Sequence, residues 1–236
     1  MKKILFICLV LSCIAAAQDT AQPYLETTDF PPCSLQGTVV LKSSPPALPA
    51  RINVTADVAT CGKNIENRNL LQSSSTGVEN VIVYLEGVKS GKSIAKEKKV
   101  LISDEKCDFY PKALAVVKGQ PVTFRNGDKI YNDFRAVLGG QVLFNIALPM
   151  AGQTFTRALN KCGMADLFCN VHSWEHALVL VSPHPYFAVS DNGGHFRIDQ
   201  VPPGKYTLIA VHEVLGKKSI EIILTQGKTT EIQLEY

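Results

Sequence analysis

The chain has 236 residues and a formal net charge of +3, with 24 basic side chains against 21 acidic ones. So even a balance makes no electrostatic case for nucleic acid or for an anionic membrane surface. Frequent Val, Ile and Thr, regular Gly and Pro punctuation and no long 3.6-period segment exclude a helical bundle and favour an all-β fold.

Lys2 and Lys3 precede an apolar run from Ile4 to Ile14, and Ala15-Ala16-Ala17 offers a small-residue cleavage site before Gln18. That is the pattern of a secretory signal peptide over 1–17. A lipoprotein anchored at Cys13 ranks second, because Leu11 is bulky for that signal. No later stretch is long and apolar enough for a transmembrane segment. The expectation is a periplasmic or secreted protein. Taking Lys2 and Lys3 from the 24 basic residues leaves 22 against 21 acidic, a net charge of +1 for the mature chain.

Residues 18–34, rich in Pro, Thr, Asp and Gln, read as a disordered linker. Strand signals begin near Leu35 with Gly37-Thr-Val-Val-Leu-Lys, and continue at Ile52-Asn-Val-Thr-Ala-Asp. Val78 to Glu86 is apolar enough to be a central strand, whereas the lysine-rich 87–99 reads as a solvated excursion. Further strands are expected at Ala113–Val117, Pro121–Asn126, Val142–Leu148 and Gln153–Leu159, with a strong turn at Asn126-Gly127-Asp128. Tyr186–Ser190, a turn at Asp191-Asn-Gly-Gly, His195–Ile198, Val201–His212, Lys218–Leu224 and Thr229–Tyr236 complete a meander.

Five cysteines follow the signal: Cys33, Cys61, Cys107, Cys162 and Cys169. In an oxidising compartment they should mostly pair, and an odd count leaves at least one thiol. Cys169 is the candidate for that thiol, because only it has a histidine at ligand spacing. Cys61–Cys107 with Cys33–Cys162 is the first expectation for the other four, the connectivity being open. A Cys162–Cys169 bridge would instead remove the thiolate.

The densest chemistry lies in 161–181, which holds two cysteines, two histidines and the chain's single tryptophan. Cys169 and His172 are spaced so that a thiolate and an imidazole can leave one loop and meet the same ion. Ala177–Val181 then reads as a buried strand.

Residues 107–181 resemble a cupredoxin, in particular the plastocyanin-like exported bacterial proteins. The likeness lies in Cys107-x-Phe-x-Pro, Lys118-Gly-Gln, Asn126-Gly-Asp and Cys169-x2-His172-x-Trp174-x2-Ala177. Residues 183–236 resemble the last strands of a carboxypeptidase regulatory-like (transthyretin-like) module, on Asp191-Asn-Gly-Gly-His-Phe-Arg-Ile and Val201-Pro-Pro-Gly-Lys-Tyr. Together they imply a cupredoxin-like Greek-key β-sandwich over 35–182 and a regulatory-like β-module over 183–236. The alternative assigns residues 35–86 to that module, split by the insertion of the copper-type segment.

The cupredoxin likeness implies copper held by two histidines, a cysteine and an axial methionine. Cys169 and His172 match two of these positions. Asn132 stands where the upstream histidine is expected, and Glu175 where the methionine is expected. An amide oxygen is a poor donor for Cu(I), and a carboxylate favours Cu(II) and harder divalent ions. The site is therefore read as a degenerate copper-type site in a non-catalytic binding protein whose partner is a metal ion, an envelope or redox protein, or a glycan. A one-electron carrier using Cys169, His172, Asn132 and Glu175 is the alternative.

His172-Ser-Trp-Glu175-His176 also spells the inverted zinc-peptidase motif, which needs a helix; here it runs into a strand-like segment, so the peptidase reading is set aside. His176 is expected on the opposite side of its strand from Glu175. His184 and His212 are expected to be structural and His195 an exposed turn residue.

Overall fold

Alternating and continuous apolar runs become two packed β-sandwiches in the computed structural model, which describes residues 23–42, 47–69, 76–95 and 98–236. The expected signal peptide and Cys13 lie outside these residues. Among the described residues no helix is long and apolar enough to cross a membrane. The helix Val58–Cys61 is a single turn.

One sandwich is formed by residues 100–182. A four-stranded sheet in the order Thr154–Ala158, Pro121–Asn126, Val100–Asp104, Phe109–Tyr110 faces a five-stranded one. The second runs Gln141–Leu148, Asn132–Leu138, Gly163–Phe168, His176–Ser182, Ala113–Val117. Ile102, Val122 and Phe124 from the first sheet and Phe134, Leu167 and Val179 from the second share one core. Within it the Phe109 and Phe134 rings stack at 5.0 Å, and Phe124 meets Phe144 at 4.9 Å.

The other sandwich joins both ends of the chain. Cys33–Val40 lies between His195–Val201, antiparallel, and Thr229–Glu235, parallel. Ile82–Glu86 lies between Phe187–Val189 and Gly204–His212, antiparallel to both. Val83, Leu85 and Leu208 of one sheet pack with Leu35, Val39 and Phe196 of the other. Sheet pairing thus groups the strands Cys33–Val40 and Ile82–Glu86 with those between 187 and 235.

The two continuous apolar runs serve the seam between the sandwiches. Ala177, Val179 and Val181 point into one core, while Leu178 and Leu180 pack outside it with Ile82 and Ala113. Val83 and Leu85 likewise face their own core and Ile82 faces the seam. A strand buried on both faces loses its polar alternation, which is why these segments read as unbroken hydrophobic stretches. Burying Leu178 and Leu180 contributes about 2 kcal/mol each.

Three expectations need correction. Residues 18–34 are not wholly a disordered linker: Leu25–Glu26 pairs in parallel with Ser90–Gly91, the Tyr24 hydroxyl donates to the Lys92 carbonyl at 2.7 Å, and Cys33 opens a core strand. Within 87–99 the residues Ser90, Gly91 and Lys92 are accordingly anchored, and Lys92 is half-buried with its Nζ donating to the Asp199 carbonyl. Cys61–Cys107 is formed, but Cys33–Cys162 is not. Cys33 is buried in the core shared by the chain ends and donates its thiol to the Thr225 carbonyl, whereas Cys162 precedes a strand of the other sandwich.

Candidate metal centre

The strands Gly163–Phe168 and His176–Ser182 pair antiparallel with Phe168 opposite His176, so residues 169–175 form the loop that joins them. Cys169 drops straight off the first strand into the aromatic-rich core. A turn closed by Glu175 N–H donating to the His172 carbonyl at 3.0 Å folds His172 and Glu175 back over it. Outside the loop, Asp133 accepts from the Asn170 backbone at 2.6 Å, and Trp174 donates its indole N–H to the Cys107 carbonyl at 2.8 Å. The disulfide to Cys61 begins at that same Cys107.

This folding brings together one ligand atom each from Cys169, His172 and Glu175, all within 4.8 Å of one another. The Cys169 sulfur is 3.5 Å from His172 Nδ1, and Glu175 Oε1 is 3.1 Å from that nitrogen, off its N–H axis. His172 and Glu175 are completely buried, and Cys169 nearly so. Nδ1 is therefore the nitrogen that faces the other donors.

The opposite ring nitrogen is occupied by a residue the sequence did not suggest. His172 Nε2 lies 3.0 Å from Asp57 Oδ2, across 115 positions of chain. Asp57 caps the turn Val58–Cys61 in the left-handed region at φ 51°, a conformation Asp tolerates better than most residues, and Cys61 staples that turn to Cys107. Carboxylates placed so on ligating imidazoles fix the ring and its tautomer.

Asn132 begins the neighbouring strand and is buried, but it does not join the cluster through any hydrogen bond. Its Nδ2 donates to Asn126 Oδ1 at 3.1 Å, and its own Oδ1 meets no donor. Asn126 is the hub of the expected turn: its amide donates to the Ile130 and Leu148 carbonyls at 2.7 Å each, and Asp128 N–H donates to its Oδ1. Glycine is needed at 127 because a Cβ there would lie 2.8 Å from the Asp104 carbonyl. His176 takes no part, since its ring reaches Glu213 at 3.0 Å and Asp166 at 3.3 Å. With His176 in a strand, the inverted zinc-peptidase geometry is absent.

A second unsuggested residue, Asp104, ends the strand Val100–Asp104 fully buried, and neither of its carboxyl oxygens has a hydrogen-bond partner. Burial and the Glu175 charge push its carboxyl up to about 9. Burial would lower His172, but the Cys169 thiol and the Glu175 and Asp57 carboxylates outweigh it and push the imidazole up to about 11. Burial also raises the Cys169 thiol. A thiol so enclosed is a poor nucleophile, although Cys169, His172 and Asp57 lie in relay order.

The donor set fits a cation. No hydrogen-bond donor satisfies either oxygen of Asp104 or of Glu175, and Asn132 Oδ1 is equally unsatisfied. Buried oxygens without donors are costly, and an ion bound by Glu175 beside a thiol and an imidazole would satisfy several at once.

No family model matches the chain, and no curated protein matches it. Solved structures do. A purple cupredoxin from Nitrosopumilus maritimus is 25% identical over 35% of this chain and 99% of its own, with a TM-score of 0.32. The Cu-containing nitrite reductase NirK from Thermus scotoductus is 22% identical over 37% of this chain and only 23% of its own, with the same TM-score. A Cu(I) form of an amicyanin variant is 20% identical over 42% of this chain and 98% of its own, again at 0.32. These matches lend nothing to the regulatory-like likeness of residues 183–236.

Proposed function

We propose that the protein is a non-catalytic, exported metal-binding protein that holds one transition-metal ion, copper included, between Cys169, His172 and Glu175. The convergence of these three buried donors, with His172 oriented from behind by Asp57, is the observation that carries the reading. The thiolate and imidazole supply soft and borderline donors, and the carboxylate supplies charge. Asn132, in this reading, is not a ligand; its amide supports the Asn126 turn. Burial of the whole imidazole, with a carboxylate on its outer nitrogen, favours retention of an ion over rapid electron exchange with a partner.

Adding Cu(II) or Co(II) to the metal-free mature protein tests this. One ion bound per chain, lost in Cys169→Ser and His172→Ala variants that still fold, is the expected result. Intense visible thiolate-to-copper absorption with reversible one-electron cycling would replace the binding reading by that of a carrier. No uptake of any ion would remove it.

A further inference from the structure

We propose that this site selects a divalent cation over Cu(I), and that the buried carboxylate of Glu175 sets the preference. The inference rests on the metal reading above and adds the charge of the ion.

The first argument is electroneutrality in a closed space. Once an ion is bound, Cys169 is a thiolate and Glu175 a carboxylate, so the ligands carry two negative charges and His172 carries none. A divalent ion balances them. A monovalent ion leaves one negative charge in a site whose ligands are all buried, where charge imbalance is expensive. The buried Asp104 carboxyl feels the Glu175 charge. Neutral, it leaves that balance intact; ionised, it adds more negative charge, so both states point the same way.

Among the described residues no other cation is seen to pair with Glu175. The ion-pair partner of Glu175 is His172 itself, whose Nδ1 the metal would occupy. Lys112, the buried lysine near this end, is committed to Asp108 at 2.7 Å and to the His176 carbonyl at 2.9 Å.

The second argument is softness. Cu(I) is best held by additional sulfur, and this site has a single one. Met164 packs in the seam between the sandwiches and Met150 is exposed. Cys33 lies in the other core. What stands beside the thiol instead is a carboxylate: a Glu175 oxygen lies within 4.8 Å of it, and neither oxygen of that group accepts from a hydrogen-bond donor.

The test uses the full mature chain with its disulfide intact. Co(II) is titrated and followed by thiolate-to-cobalt absorption, and Zn(II) is measured by displacing it. Cu(I) affinity is measured anaerobically against bicinchoninate. Wild-type protein is expected to bind one Co(II) or Zn(II) per chain. Glu175→Gln should weaken Co(II) by about a hundredfold and Cu(I) by only about tenfold, because the lost carboxylate attracts a double charge twice as strongly as a single one. Glu175→Met, which also offers a thioether, should tighten Cu(I) while weakening Co(II), and it serves if the glutamine variant fails to fold. A wild-type protein that takes Cu(I) but neither divalent ion, or variants whose Co(II)-to-Cu(I) affinity ratio is unchanged, overturns the selection and leaves the metal reading standing. Uptake of neither charge state overturns both.

Discussion

Asp57→Asn isolates the contribution of a residue that touches only the outer edge of the imidazole. Asn tolerates the left-handed backbone at φ 51° nearly as well as Asp, so the turn should keep its shape and stability should change by less than about 1 kcal/mol. What is lost is a carboxylate 3.0 Å from His172 Nε2. Outer carboxylates on ligating imidazoles are worth about 10–100-fold in metal affinity, or about 1.4–2.7 kcal/mol. Two features place Asp57 at the lower end. Its side chain is 39% exposed, so solvent screens the pair. Removing the charge also lowers the affinity of the ring for the competing proton. The expectation is a loss of about tenfold, measured by Co(II) titration at fixed pH. In wild-type protein the imidazole is pushed up to about 11, so an ion must displace a proton at neutral pH and affinity should rise with pH. In the variant that rise should be complete at lower pH. Co(II) affinity within twofold of wild type, with an unchanged pH profile, would refute the orienting role.

Cys61→Ser should act on the same edge from further away. Opening the loop between Cys61 and Cys107 costs about 4 kcal/mol in chain entropy and frees the turn that carries Asp57, so denaturant melts and Co(II) affinity should fall together. A variant that loses stability but binds Co(II) normally would separate the staple from the site. Lys112→Ala leaves Asp108 buried beside an empty place and should cost about 3–5 kcal/mol, whereas a Lys112→Met, Asp108→Asn double variant should recover much of it; equal losses would contradict the pairing. His184 and His212 are held neutral by burial, which lowers each to about 4, and the Nδ1 of each accepts a backbone N–H. Because the unfolded state takes up protons first, near pH 6.5, their contribution is full above that value and is lost as pH falls towards 4, by up to about 3 kcal/mol each. His212→Asn, which keeps an acceptor but does not titrate, should flatten this loss in melts between pH 7 and pH 4; an unchanged slope would assign it elsewhere.

The all-β class and the central strands were legible because they depend on local pattern. Ala177–Val181 and Ile82–Leu85 announce burial on both faces by lacking polar alternation, although nothing in either run says that they share a seam. The turn at Asn126-Gly127-Asp128 was legible from residue type, and its second role, holding Asn132 through Asn126 Oδ1, was not. The linker expectation for 18–34 failed because a two-residue parallel pairing and one tyrosine hydroxyl are tertiary contacts with no periodic signature. The second disulfide failed for a related reason. Counting cysteines gives how many can pair, while Cys33 is placed by a sheet that closes only when the chain's last strand arrives.

The candidate site divides along the same line, and the division bears on its chemistry. Cys169, His172 and Glu175 stand at intervals of three residues on one loop, so their convergence follows from a single turn and is visible in the spelling of that loop. Asp57 and Asp104 come from a capped turn and from the last residue of a strand, each an unremarkable acid in its own neighbourhood. Yet these two act on the local three: Asp57 holds the outer ring nitrogen so that the other faces inward, and Asp104 adds a second buried carboxyl that feels the Glu175 charge. Transplanting residues 169–175 onto another β-hairpin should therefore carry over the ligands without the selectivity, because the ring would turn freely and the carboxylate would sit in water.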